Sequence, residues 1–279
     1  DGMITAIKFK NGKASFTNKF VKTEGFLKEQ KVDKFIYRGV FGTQKKGGVI
    51  KNAFQLNLKN IANTHVIKLG DELLALWEAA GPHSLDPNNL ETNGLTTLKG
   101  VLKKNEAFSA HPKVDFNSNS ADEVLITFGV QTGPTSTIRL MEFSNSGKNS
   151  GQLLFDRKDK LKGFAFLHDF AITTNWAIFL QNAIDFNPLP FVLGQKGAAQ
   201  CLKSNPKKTA KFFIVPRDSG LFRGQPPIVI DAPEGFVFHH VNAYENDSNI
   251  ILDSIFYDDF PSVGPDEDFR DIDFDNYPA

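Results

Sequence analysis

With 279 residues and 32 acidic side chains balanced by 32 basic ones, the chain is long enough for a sizeable core and lacks the basic excess that a nucleic-acid partner demands. Its one cysteine, Cys201, excludes an internal disulfide, and no apolar run reaches the ~20 residues of a membrane-spanning helix. Phenylalanine is over-used, 27 against 4 Tyr and 2 Trp, which suits either an ordinary core or the hydrogen-bond-free wall of a pocket for a long apolar ligand.

The chain opens on a predicted hairpin, strands at Ile4 to Phe9 and Ala14 to Phe20 around Asn11-Gly12, the dipeptide that supplies the positive φ values of a type I′ turn. A strand at Phe35 to Val40 leads into the loop Gly42 to Gly48. That loop fails the phosphate-loop pattern, because Gly48 and Val49 stand where Lys and then Ser or Thr are required. Strands follow at Ile61 to Ile67 and Glu72 to Trp77, then turn chemistry at Gly81 to Pro87, then a short predicted helix at Gly94 to Leu102.

The next predicted strands are Val124 to Val130, Thr137 to Phe143, Gln152 to Asp156, Ala165 to Ile172, Trp176 to Leu180, Phe212 to Pro216 and Ile228 to Asp231. Gly163 to Phe179 reads as a hairpin turning at Thr173-Thr174-Asn175, and Gly235 to Tyr257 as another turning at Asn246-Asp247-Ser248. Short strands without long alternating helices predict an all-β fold: sandwich, barrel or propeller. Between them, Phe186 to Gly194 is apolar but broken by Pro188 and Pro190, suited to burial or to shallow insertion among lipid head groups. The acidic tail mimics the start of a calcium loop at Asp271 to Asp275 but has no later glycine or glutamate, so it reads as a solvated loop. Neither end carries a closing element; residues 1–279 read as one partial domain, cut at both ends.

No HExxH, CxxC, GxSxG or dinucleotide fingerprint is present. What remains is histidine in apolar surroundings. His111, His168 and His239 each stand beside Phe or Ala at the edge of a predicted strand, at intervals of 57 and 71 residues that suit four-stranded blades with long loops. Each is either a satisfied core residue or a ligand of a transition metal, and spacing does not choose among Zn, Fe, Cu and Ni. Glu78, following Leu74-Ala75-Leu76-Trp77, is either a strand-end carboxylate facing water or the outer partner of a ligating imidazole.

Several strings, in order, carry a resemblance: ANTHV (Ala62 to Val66), LLALWEAAGPHSLDPNNLETNG (Leu73 to Gly94), SAHPKVD (Ser109 to Asp115), GFAFLHDFAITTNWAIFLQN (Gly163 to Asn182), VPRD (Val215 to Asp218) and FVFHHVNAYEND (Phe236 to Asp247). The chain resembles the carotenoid cleavage oxygenase family over nearly its whole length, most of all its cyanobacterial apocarotenoid-cleaving members. The resemblance implies a seven-bladed β-propeller whose axis holds a non-haem Fe(II) on four histidines, of which His111, His168 and His239 are three. It implies Glu78 as an outer partner, with His168 its expected imidazole, and Thr64 beside the open coordination position. Phe41, Trp77, Phe166, Phe238 and Tyr257 are expected to line a substrate tunnel, and Pro188, Leu189, Phe191 and Leu193 to touch a membrane.

The implied activity is scission of a polyene double bond of a carotenoid or apocarotenoid by O2, giving aldehydes such as retinal, in a cytoplasmic, peripherally membrane-associated monomer. The same scaffold also supports retinoid isomerisation or stilbene cleavage, and a catalytically idle binding module is the reading from another class. Family members are longer. The chain is therefore expected to hold about four blades of an incomplete propeller, without the fourth histidine, and to show little activity as an isolated piece.

Overall fold

The computed structural model describes residues 1–40, 45, 47–104, 106–116, 123–218 and 220–261. The expectations for Phe41, for most of the Gly42 to Gly48 loop and for Asp271 to Asp275 lie outside the described residues.

The chain begins with the hairpin β1 (Met3–Lys10) and β2 (Lys13–Phe20). Asn11 and Gly12 have φ of 51° and 72°, the left-handed pair that the Asn-Gly dipeptide foretells. Helix α1 (Glu24–Val32) follows, capped by the Thr23 hydroxyl accepting from Phe26 N–H, and then the short helix α2 (Gly48–Asn52).

Three antiparallel four-stranded meanders come next. The first is β3 (His65–Leu69), β4 (Glu72–Leu76), β5 (His83–Leu85) and β6 (Thr92–Leu95). The second is β7 (Lys113–Phe116), β8 (Glu123–Gln131), β9 (Thr135–Ser144) and β10 (Leu153–Lys162). In the third, β11 (Ala171–Ile172) and β12 (Trp176–Gln181) are continued by β15 (Lys211–Pro216) and β16 (Ile228–Asp231). The β12 to β15 connection makes an excursion through a small pair, β13 (Ile184–Phe186) and β14 (Leu202–Ser204), with the helical turn α3 (Leu189–Val192) between them. A last hairpin, β17 (Phe236–Asn246) and β18 (Asn249–Tyr257), turns at Asp247, φ 51°. These are three complete propeller blades and a hairpin of a fourth, the all-β, incomplete propeller expected from the sequence.

The middle strands read as nearly continuous apolar runs because both of their faces are covered by neighbouring blades. On β8, Leu125 packs toward the first blade while Ile126 and Phe128 pack toward the third; on β9, Met141 and Phe143 take one side, Ile138 and Leu140 the other. On β12, Ala177 and Phe179 face the second blade while Trp176 and Ile178 face the last hairpin. The core is thus a series of layers between blades. At the second of these, the rings of Phe128, Phe170 and Phe179 meet with centroids 5.1 to 5.5 Å apart. Polar clips reinforce the layers: buried Arg217, after β15, reaches Asp115 of β7 at 2.8 Å and Glu142 of β9 at 3.4 Å. The outer strand β10 alternates exposed and half-covered residues, with charges such as Lys158 and Lys160 on its open side, which blunts it against further pairing.

Three expected elements differ. Gly94 to Leu102 is no helix: after β6 the chain turns through Leu98, Lys99 and Gly100, all at positive φ (49°, 57° and 90°), a handedness no right-handed helix accepts. That turn puts Leu98 and Leu102 into the core. Phe35 to Val40 makes only an isolated bridge, Arg38 to Leu58, because Arg38 turns inward. Its buried guanidinium donates to the carbonyls of Asn52, Gln55, Phe191 and Lys196 at 2.7 to 3.3 Å and covers the Phe191 ring at 4.0 Å. An unpaired charge there would cost several kcal/mol, so these carbonyls hold the segment, not a ladder. The strand foreseen at Ala165 to Ile172 shrinks to β11. Ser136 grips the chain just before, donating to Gly163 O at 2.8 Å and accepting from Ala165 N–H at 3.0 Å, and residues 164–170 leave the sheet.

Candidate metal centre

Those residues leave the sheet carrying His168. His111 stands two residues before β7, His168 three before β11, and His239 on β17 beside a register irregularity between Val237 and His240. Each histidine therefore sits just before or within the first strand of successive blades, and the three side chains converge. His111 Nε2 and His168 Nε2 are 3.0 Å apart, His168 Nε2 and His239 Nε2 3.2 Å, and all three ligand atoms lie within 4.8 Å of one another.

The surrounding bonds aim these rings. His111 N–H donates to Ser109 Oγ at 3.0 Å, and His65 Nδ1 donates to the neighbouring carbonyl of Ala110 at 3.1 Å. His168 Nδ1–H donates to Glu78 Oε2, which leaves the lone pair on Nε2 facing the other two rings. Burial, with His168 alongside, pushes His111 down to about 4, and burial moves His239 in the same direction. Both shifts favour the uncharged form of these two rings.

Uncharged nitrogens that point their lone pairs at one another repel unless a cation lies between them. Imidazoles about 2.1 Å from a shared ion and at right angles have nitrogens about 3.0 Å apart, and a tetrahedral pair about 3.4 Å. The observed 3.0 and 3.2 Å fit a single transition ion, closer to the right-angled arrangement.

A cavity of about 390 Å3 ends on His168 and Glu78, walled by Trp77, Phe128, Phe164, Phe166, Phe238 and Phe260. Phe238 lies 5.6 Å and Phe166 6.4 Å from the His168 ring, centroid to centroid. Trp77, Phe166 and Phe238 were expected in this wall; Phe128, Phe164 and Phe260 were not foreseen, since a phenylalanine of the core and one of a cavity look alike in sequence. Tyr257 pairs with Phe236 across the last hairpin, its ring 6.4 Å from Phe238 and outside the cavity lining. Thr64 is exposed at the entrance to β3, its N–H bonded to Leu76 O at 3.0 Å. In the apolar loop Leu189 is exposed, whereas Phe191 is buried beneath Arg38.

Comparison with known proteins agrees with this geometry. A family model described as retinal pigment epithelial membrane protein matches residues 1–276. The apocarotenoid-15,15′-oxygenase of Synechocystis sp. is 47% identical over 279 residues, 99% of this chain and 55% of that protein. A carotenoid 9,10(9′,10′)-cleavage dioxygenase of Pisum sativum is 30% identical over 271 residues, 90% of this chain and 46% of that protein. The crystal structure of cobalt-substituted Synechocystis apocarotenoid oxygenase superposes with a TM-score of 0.89 at 46% identity, covering 99% of this chain and 56% of that one. The chain thus spans about half the length of the curated relatives it matches. Blades, histidine-lined axis and sequence together show that it belongs to the retinal pigment epithelial membrane protein family, the carotenoid cleavage oxygenases.

Proposed function

We propose that residues 1–279 form one partial propeller domain of a non-haem Fe(II)-dependent oxygenase, which cleaves a polyene double bond of a carotenoid or apocarotenoid with O2 to give two aldehydes, retinal among them. The observation that carries this reading is the convergence of three imidazole Nε2 atoms at the end of a phenylalanine-walled cavity. Iron is chosen over other metals from the family; imidazole donors accept it, and the relative with cobalt in place of its native metal supports a metal at this position.

His111, His168 and His239 would hold the ion, which when bound supplies the activation of O2. The rest is the work of the chain. Glu78 keeps the proton of His168 on Nδ1 and so keeps Nε2 free to bind. Trp77, Phe166 and Phe238 hold a polyene by shape, offer it few hydrogen bonds and exclude water, and Phe41 and Tyr257 are proposed as further substrate contacts. The bond lying over the three nitrogens is the one cut, and Thr64 is proposed to face the open position there.

Among the described residues no helix is long and apolar enough to cross a membrane. We place the protein in the cytoplasm as a monomer that touches lipid through Pro188, Leu189 and Leu193; Phe191, expected there too, is buried under Arg38 and makes no such contact. Exposed Leu189 supports this, as do exposed Ile50 and Phe54 on the adjoining segment, bonded to the loop through Phe54 N–H and Val192 O at 2.7 Å. Phe191 supports the patch from beneath.

The test uses the full-length protein. Iron content and products are compared for wild type and His168→Ala, with an apocarotenal, a full-length carotenoid and a stilbene as substrates. The expected result is loss of iron and of aldehyde formation in the variant, and scission of the apocarotenal by wild type. A variant that keeps its full iron complement, or a wild type that cleaves none of the three, defeats the reading.

A further inference from the structure

Side chains alternate along an extended chain, so the backbone that aims an imidazole at the axis aims its neighbour away from it. Asp169 is such a neighbour of His168, and groups from residues close in sequence to the other two histidines meet at its carboxylate. Asp169, next to His168, forms an ion pair at 2.8 Å with Nζ of Lys113, which lies two residues beyond His111. It also accepts a hydrogen bond at 3.0 Å from the backbone N–H of His240, next to His239. The Asp169 side chain is 2% exposed, and Lys113 Nζ also lies 5.9 Å above the Phe170 ring. A carboxylate so deeply buried is tolerated only where charge and hydrogen bonds compensate it, and here both come from the segments that bear the other two histidines. The contacts join the second blade, the third blade and the last hairpin directly behind the metal ligands.

We propose that Asp169 is a positioning residue, which by bridging Lys113 and the His240 amide sets the spacing of the three imidazole nitrogens and with it the site's affinity for a divalent metal. This rests on the metal-centre reading above. A general inter-blade clip, such as Arg217 with Asp115, would stabilise the fold without altering the metal's surroundings; Asp169 differs because its partners adjoin the ligands in the chain.

The experiment loads the full-length protein with Co2+ and records both affinity and the visible absorption of the bound ion, which reports ligand geometry. Asp169→Asn keeps the size and the acceptor for His240 N–H but removes the charge facing Lys113. It is expected to weaken Co2+ binding about tenfold or more and to change the spectrum. Lys113→Met is expected to do the same, the double variant to be no worse than either, and Lys113→Arg to restore wild-type behaviour. Wild-type affinity and spectrum in either Asp169→Asn or Lys113→Met overturn the proposal, even if the melting temperature falls. Should Asp169→Asn fail to fold, Lys113→Met decides alone, since Lys113 is partly exposed. His168→Ala separates the two readings. Undiminished Co2+ binding in that variant refutes the metal centre itself, whereas loss of cobalt there with unchanged spectra at Asp169 and Lys113 refutes only the positioning role.

Discussion

A carboxylate on the far nitrogen of a ligating imidazole fixes which nitrogen carries the proton and makes the other a better donor. Glu78 does this for His168 from just beyond β4, and no other residue of the first blade supplies a carboxylate to the three histidines among the described residues. Glu78→Gln keeps an acceptor of nearly the same shape and deletes the charge. We expect iron affinity to fall about 10–100-fold, measured by competition with a chelator, with a smaller effect on thermal stability because the amide still accepts the His168 hydrogen bond. Wild-type affinity in Glu78→Gln would mean that the pair is incidental to metal binding.

At the scale of elements, what could be read from the sequence was what local chemistry decides. Asn11-Gly12 and Asn246-Asp247-Ser248 specify hairpins by turn type, and the runs at β8, β9, β12 and β15 are too apolar and too short to be anything but strands covered on both sides. What was not legible depends on long-range partners. Leu98 and Lys99 are ordinary helix formers whose left-handed path is dictated by the core that Leu98 and Leu102 enter, and Phe35 to Val40 is claimed by the carbonyls around Arg38. Helix α1, absent from the predicted elements, carries a local signal, Thr23 as cap with Glu24 in the first turn. The histidines could be picked out singly, but nothing in their spacing showed that they share a centre; only the family resemblance did. The apolar loop was visible too, though not that α2 adjoins it. If this combined surface meets lipid, each of Ile50 and Leu189 contributes about 1.5–3 kcal/mol on insertion. Replacing both with Asp should cut co-flotation with phosphatidylcholine vesicles by tenfold or more, and equal flotation would exclude this surface as the contact.

For the molecule as a whole, acid weakens the fold. Burial pushes His83 down and takes His111 and His240 to about 4, so the folded protein declines protons that the unfolded chain accepts near pH 6.5. Between those limits the unfolded state binds more protons; stability is therefore full above about pH 6.5 and is lost as the pH falls toward 4. Carboxylates such as Asp156, held low first by its bond to Arg139, add their own loss only at still lower pH. The melting temperature of the metal-free protein should thus drop between pH 7 and 5, and His83→Leu, which removes a buried ring whose Nδ1 finds no partner, should lessen the drop. A melting temperature that stays level over that interval contradicts this account. The sharing of each middle strand between two interfaces has a further result for how such a chain can vary. Adding or deleting one residue in β8 or β12 would exchange two layers of side chains at once, so those strands admit replacement but hardly any change of length. Changes of length are confined to the connections, of which the excursion between β12 and β15, with its helical turn α3, is an example.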